Sequence, residues 1–494
     1  MSAIGLDVGT SGAKALLVDG TGRVLARASR SYSVTSPEPG AAELDPRMVL
    51  AAAEAVVAEV ASVAPGTALA IGISCQGEAV VPVDADGAPL AALQVSSDQR
   101  PAAVIAAVLA ELPAEAIYQR TGHTPAPLFT LFKLRWLAEQ RPEIHAKAHA
   151  FHCVEDLIHR HWGLEPAMGL PLAGRTLLFD VRRGAWDAEL CAVARVRPEQ
   201  LARPLPAGAA VGCLSAAVAA RLGVAASCTV VAGGHDQCCA ALGAGAVLPG
   251  QAVYGCGTVE CITPTFASPV LSDALRRANL CTYAAAAPGR WASVAYSLTG
   301  GNALAWFRQV SGEATYEQLL SELAPSPSPV LALPYLTASG TPWFDGRTAG
   351  ALTGLRLDTT RGQMLQGLLE GVAYEMRLNL HLLGQAGLAV DSLRATGGGA
   401  RDLRLCQLKA DALDRPLALL AEPEAGCLGM AAAGWAAVHG ADPAATAANW
   451  ARTTAVVEPR TAFRQAHAER FAAYRALYGA LAGLAAPRAV AGSA

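Results

Sequence analysis

Short apolar runs, broken by glycine-rich turns, open the chain. "IGLDVG" (4–9), "AKALLVD" (13–19) and "VLARASRSY" (24–32) have the composition of strands. "TSG" and "GTGR" separate them, so the spacing predicts a β-meander over 3–30. The period then changes. Residues 46–64 ("PRMVLAAAEAVVAEVASVA") read as a helix with Pro46 in its first turn. "ALAIGISCQ" (68–76) and "AVVPVDADGAPL" (79–90) return to strand character. Helices are expected at about 101–111 and 128–140, a strand or turn at 175–183, and a helix from Asp187. The apolar strand "CTVVAGG" (228–234) runs into "HDQCCAALGAG", a helix.

At 251–263 ("QAVYGCGTVECIT") the opening pattern recurs: apolar residues, a Gly-Thr turn, then another strand. Thr10 and Thr258 are about 248 residues apart, half the chain. Two halves of related architecture follow, divided at "GAVLPG" into 1–246 and 247–485, with 486–494 as a frayed tail. "PSPSPVLALPY" (325–335) reads as a rigid loop, 361–387 as a long helix, and "SLRATGGGARDLRLCQLKADAL" as strand, glycines, helix. "CLGMAAAGWAAVHG" is a helix of small residues suited to close packing.

Composition narrows the classes. With 494 residues, 52% apolar and 16% charged, the chain can bury more than one core. A net charge of −3 provides no basic field for nucleic acid. The twelve cysteines are scattered without zinc spacing and read as buried, reduced thiols of a cytoplasmic protein. The longest stretch without Asp, Glu, Lys, Arg or His, Gln237–Val259, holds six glycines and prolines. It reads as helix, turn and strand, not as a membrane span. The N-terminus lacks the basic leader of a signal peptide.

The chemistry lies in the glycine-rich turns. Successive backbone amides in such turns bind anions, and a helix N-terminus adds its dipole. Only four lysines are present, none after a glycine, so a Walker A loop is absent. No GxGxxG with a distal acid opens a helix, so a dinucleotide site is absent too. What remains is a phosphate site of amides, hydroxyls and carboxylates. A carboxylate beside phosphates requires a cation, so Asp7 implies Mg2+, with a strand-end turn residue as the competing reading. Asp236, at a strand-to-helix junction, reads either as a helix cap or as a general base for phosphoryl transfer. His235 reads as a polar neighbour.

In this order the motifs resemble the FGGY family of carbohydrate kinases, over roughly 1–480, and within it most resemble the xylulokinases. "IGLDVGTSGAKALLVD" is similar to the family's first phosphate motif and "VVAGGHDQCCAALGAG" to the second. "AELDPRMVLAAAEAV", "PAPLFTLFKLRWLAEQRPEI" and "RTLLFDVRRGAWD" match further segments. "LPYLTASGTPWFDGRTAGALTGL" matches the family signature and "ATGGGARDLRLCQLKADAL" the adenosine motif.

The resemblance implies an α/β protein of the two-domain actin-like ATPase fold, with duplicated ribonuclease H-like lobes and a cleft between them. It implies ATP and Mg2+ in that cleft, Asp236 as catalytic base, and Asp7 at the metal and the reacting centre. Thr10, Ser11, Gly12 and Lys14 would face phosphates, with Gly257 and Thr258 on the γ-phosphate path. Gly300 and Gly301 would lie near the nucleotide, and Gly398, Gly399 and Ala400 against adenosine. The acceptor implied is a ketopentose, D-xylulose first, or another pentulose, hexulose or polyol. Gln76, Gly77, Glu78, Asp98, Arg100 and Asp236 would bind it. The chain departs from the xylulokinase pattern at these positions. Gln76-Gly77-Glu78 replaces Gln-Met-His, and Ser96-Ser97-Asp98-Gln99-Arg100 replaces Trp-Asn-Asp-Gly-Arg. "GTSG" has become Gly257-Thr258-Val259-Glu260, and Gly-Glu-Arg-Thr-Pro reads Ser339-Gly340-Thr341-Pro342. Glycerol kinases have Arg-Glu at Gly77-Glu78, but their sugar-site Tyr falls at Leu128. For Asp98 and Arg100 an internal salt bridge is the competing reading. The competing class is an actin-like, nucleotide-gated binding protein. A homodimer is compatible with either.

Overall fold

The computed structural model describes residues 1–481; the tail expected at 486–494 lies outside the described residues. The predicted meander forms β1 (Ser2–Val8), β2 (Gly12–Asp19) and β3 (Val24–Ser31). Helix α1 (Pro46–Ala61) follows, capped by the Asp45 carboxylate on the Arg47 amide. Then come β4 (Ala68–Cys75), α2 (Thr130–Gln140), α3 (Val154–His161), β5 (Ala210–Cys213), β6 (Thr229–His235) and α4 (Asp236–Gly243). The first sheet has the order β3-β2-β1-β4-β6-β5. β1 and β4 are parallel, as are β4 and β6, while β1/β2 and β5/β6 are antiparallel. β1 is buried along its whole length except at Asp7. That is why a central strand reads as a continuous apolar run.

The second half repeats this plan. It comprises β7 (Gln251–Cys256), β8 (Glu260–Phe266), the short strands β9 (Tyr283–Ala284), β10 (Trp291–Ala292) and β11 (Ala295–Ser297), and α5 (Gly301–Val310). After these come α6 (Arg361–Gln385), β12 (Ser392–Thr396), α7 (Leu403–Leu413), β13 (Leu417–Leu420), α8 (Ala425–His439) and β14 (Thr453–Val457). The order is β9-β10-β8-β7-β12-β13-β14, with β11 also on β8. The senses match the first sheet: β7/β8 antiparallel, β7/β12 and β12/β13 parallel, β13/β14 antiparallel. The duplication expected from the two Gly-Thr turns is thus a duplication of topology, except at the far edge, where β5 precedes its partner β6 and β14 follows its partner β13. Two of the predicted strands shrink. Only Val81–Val83 of 79–90 is extended within a sheet, and 175–183 keeps a two-residue strand at Phe179–Asp180.

The expected division at 246/247 is not clean in three dimensions. α8 returns to the first half and packs on β1 and β4, and Cys427–Ala433 belong to the first core. Its small residues explain how. A Cβ on Gly5 would sit 1.7 Å from the Cys427 carbonyl oxygen, and one on Gly243 would sit 1.8 Å from that of Ala425. Backbone therefore meets backbone between α8, β1 and α4. From Cys427 to Gly434 every residue of α8 is buried, so this part of the helix shows no apolar stripe.

The Gln237–Val259 stretch forms most of α4, a turn and β7, as expected. No single helix among the described residues is long and apolar enough to cross a membrane. All twelve cysteines are free, and all but Cys213 and Cys261 are buried.

Candidate active site

The carboxyl ends of β1, β4 and β6 meet at one edge of the first sheet. Asp7, Gln76 and Asp236 lie there because these strands are parallel and their carboxyl ends align: Asp7 pairs with Ser74, and Cys75 with His235. The Ser74 hydroxyl donates to Asp7 Oδ1 (2.6 Å). Burial pushes the Asp7 carboxyl up, against that hydrogen bond and the Lys14 charge. In the turn beyond β1, Gln76 donates to the Gly9 carbonyl (3.3 Å) and accepts from the Thr10 hydroxyl (3.0 Å). Tyr32 donates to the same Gly9 carbonyl (2.7 Å). The turn is held from behind. Among the described residues no acceptor takes the amides of Thr10 and Ser11, which leaves them for an anion.

Asp236 is the first residue of α4; His235 holds the cap position, so Asp236 is not the helix cap. Its side chain is 34% exposed and opens into the cleft. Burial, then the charges of Asp7 and Glu78, push its carboxyl up to about 7, while hydrogen bonds from Gln237 oppose this. His235 Nε2 lies 3.3 Å from Asp236 Oδ1, and His235 Nδ1 is 2.8 Å from the Tyr283 hydroxyl. Burial and the Arg175 charge drive His235 well below the usual histidine range, so it flanks the carboxylate as a neutral ring.

Glu78 is gripped at both ends. Lys133 and Thr130, on α2, donate to its backbone carbonyl (2.9 and 3.0 Å). Ser96 donates to its carboxylate (2.8 Å), and Arg175 pairs with it. The backbone at Glu78 is left-handed (φ 60°), a conformation that costs energy for a residue with a Cβ and persists where surroundings enforce it. Arg175 is itself buried and lies over the rings of Phe129 and Tyr283 (5.1 and 5.7 Å). Gly77 makes room here: a Cβ on it would be 2.9 Å from His235 Cδ2 and 3.5 Å from Arg175 Nε.

On the facing lobe, three turns converge. The Gly301 and Asn302 amides donate to the Gly257 and Thr258 carbonyls (2.9 and 3.2 Å), and the Gly300 amide to the Asn302 side chain (2.7 Å). Gly301 and Asn302 therefore brace the Gly257-Thr258 turn with their amides, and Gly300 holds the Asn302 side chain. Gly399 approaches the Cys256 carbonyl closely, which brings Gly398, Gly399 and Ala400 to the same edge.

Three expected site residues have other partners. Lys14 pairs with Glu424 (2.7 Å) at the start of α8. Arg100 lies over Trp136 (4.5 Å) and is held by Glu38 (2.7 Å), Glu43 (2.5 Å) and Asp98 (2.5 Å). Both Asp98 oxygens accept from Arg100, and Asp98 is fully buried. This pair orders its loop, the competing reading of the sequence.

Arg175, Ser74 and Tyr283 did not stand out in sequence. So too the buried Lys409–Glu260 pair, in which Tyr254 also donates to Glu260. A lysine within "LCQLKADAL", in a chain with only four, was the signal for that pair.

Two family models match: the N-terminal domain of the FGGY family of carbohydrate kinases over residues 2–243 and its C-terminal domain over 252–438. The chain belongs to the FGGY family of carbohydrate kinases. A glycerol kinase from Thermus brockianus is 31% identical, the match covering 89% of this chain and 90% of that one. An apulose kinase from Pectobacterium atrosepticum is 30% identical over 87% and 88%. The crystal structure of a "xyloylose kinase" from Brucella ovis superposes with a TM-score of 0.91 at 30% identity, covering 98% of this chain and 100% of that one. The FGGY lobes are therefore the two-domain actin-like ATPase architecture expected from sequence. Relatives with different sugars are equally similar, so the resemblance to xylulokinases in particular does not single out a substrate.

Proposed function

We propose that this FGGY kinase transfers the γ-phosphate of ATP to a hydroxyl of a neutral ketopentose, D-xylulose in the first place, with Asp236 as the general base. One observation carries the reading. Asp236 stands at the carboxyl edge of the first sheet with its carboxyl lifted to about 7, beside a cluster of buried polar side chains, Glu78, Arg175 and His235. A base held near neutral pH can accept a proton as the hydroxyl attacks. Positioning and charge stabilisation supply most of the remaining catalysis in phosphoryl transfer.

This cluster favours a neutral acceptor. Its two cations are already engaged, Arg175 with the Glu78 carboxylate and Lys133 with the Glu78 carbonyl, so a sugar acid would find no free cation. Side by side, Glu78 and Arg175 offer an acceptor and donors to adjacent hydroxyls.

The residues present fit Mg2+ and a triphosphate. Asp7 offers one carboxylate with lone pairs beyond the Ser74 bond. No cluster of three or more acidic, histidine or cysteine ligands exists among the described residues. Mg2+ is commonly held by one or two carboxylates, waters and substrate phosphates. When bound, the metal offsets the negative charge of the phosphates. The free amides of Thr10 and Ser11 would orient them, with Thr258 opposite. Closure of the lobes would exclude water and limit ATP hydrolysis.

The actin-like binding protein remains the alternative class. It is disfavoured by the cluster of polar side chains beside Asp236. Phosphorylation of a panel of pentuloses, hexuloses, polyols and aldonic acids, with the product identified by mass, tests the proposal. A neutral ketopentose should be preferred, and preference for an aldonic acid would contradict it. Glu78→Gln should change the order of preference across the panel more than it changes KM for ATP; an unaltered order removes Glu78 from the sugar site. Thr10→Val removes the hydroxyl that bonds Gln76 and should raise KM for ATP by about tenfold, the size of one hydrogen bond to a charged or polar partner. An unchanged KM for ATP would remove Thr10 from the phosphate turn.

A further inference from the structure

Glu155, in the first turn of α3, is fully buried, and no Lys, Arg or His among the described residues pairs with it. Burial without a counter-charge is costly and pushes its carboxyl up to about 8, against two backbone hydrogen bonds, so its presence calls for a reason beyond packing. Its two oxygens each accept one backbone amide: Oε1 from Gly233 (2.7 Å) and Oε2 from Gly169 (3.0 Å). Gly233 lies where β6 slips register against β4, between Val231 and Gly234. Such a bulge leaves an amide without a ladder partner and re-aims the residues that follow. Here the stranded amide is the one that Glu155 takes. Gly169 presses on the same bulge from the other side, since a Cβ on it would be 2.1 Å from the Gly233 carbonyl oxygen. Three residues after Gly233, the strand delivers Asp236 to the cleft.

We propose that Glu155 is a positioning residue for phosphoryl transfer. Its carboxylate clamps the β6 bulge and the Gly169 backbone together and thereby fixes the direction in which Asp236 points. The inference rests on Asp236 being the base. Glu155 touches neither substrate nor nucleotide; it acts through the backbone between Gly233 and Asp236. A small error in the base's position is enough to slow the reaction while leaving binding intact.

The test uses the full chain with Glu155→Gln and Glu155→Asp. The amide of Gln turns an NH2 toward one of the two backbone donors, and Asp is too short to reach both. For variants that unfold cooperatively, kcat should fall about 10- to 100-fold, with KM for sugar and for ATP within about threefold of the parent. Such a split is not expected from general loosening of the lobe, which would raise both KM values. A folded variant with kcat within about twofold of the parent overturns the proposal, as does a matching rise of both KM values. Failure of both variants to fold would make Glu155 a fold-keeping residue and also overturn it. Asp236→Asn is assayed in parallel. If it stays active, the reading of Asp236 has failed; if it is inactive while Glu155→Gln is unaffected, the positioning role alone has failed.

Discussion

Asp236→Asn should lower kcat by about 10²–10⁴, the usual contribution of a general base, with both lobes still folded. The amide keeps the shape of the side chain and its helical position but cannot accept the proton of the attacking hydroxyl. In the parent, kcat/KM should follow the deprotonated base. Because burial and the charges of Asp7 and Glu78 raise its carboxyl to about 7, activity should fall tenfold per pH unit well below that value and level off above it. The same shift affects stability, with the opposite consequence. A carboxyl raised in the folded state favours the protonated native form, so its penalty grows as pH rises from its ordinary value of 3.8 and is complete above about 7. Asp236→Asn should therefore resist denaturant better than the parent at pH 8, and the gain should vanish near pH 4. Stopped-assay rates and denaturation midpoints at the two pH values check both halves. Near-normal turnover of the Asn variant would remove Asp236 from the chemistry.

The largest expected effect on stability comes from Arg175→Met. The guanidinium and the Glu78 carboxylate are 10% and 3% exposed, and each faces the other. Removing one partner of a buried pair strands the second charge, at about 3–5 kcal/mol. Stacking over Phe129 and Tyr283 is lost with it. The denaturation midpoint should drop sharply. Adding Glu78→Gln to Arg175→Met should recover part of the loss, because the stranded charge is then gone. A midpoint equal to the parent's would show that the pair contributes nothing to the fold, and a double variant no better than the single would show that the charge is not the reason.

How much of this was legible in sequence depends on the distance over which each feature acts. The meander, the helix from Pro46 and the Gly-Thr turns are local patterns of period two, period 3.6 and glycine, and the structure follows them. Their recurrence half a chain later was enough to read the duplicated lobes. The Asp98–Arg100 pair was legible as a two-residue spacing, though its further partners Glu38 and Glu43 were not. α8 marked the limit. Its small residues predicted close packing, but nothing local said that it would leave the second half and lie on β1 and β4. Arg175 stayed hidden for a similar reason: its partner is Glu78, 97 residues earlier (175 − 78). Glu155 belongs to no motif that the sequence offered, and only the bulge beneath it gives that carboxylate a purpose. Residues that act through backbone held by a distant segment leave no spacing to read.

A carbohydrate kinase cleft should phosphorylate a hydroxyl rather than gate a binding surface with nucleotide. Coupled detection of ADP, with MgATP present and D-xylulose either added or withheld, tests it most directly. ADP should form in proportion to added sugar, one ADP per phosphorylated product, with little formed in its absence. ADP released at the same rate with and without any sugar or polyol would contradict the claim.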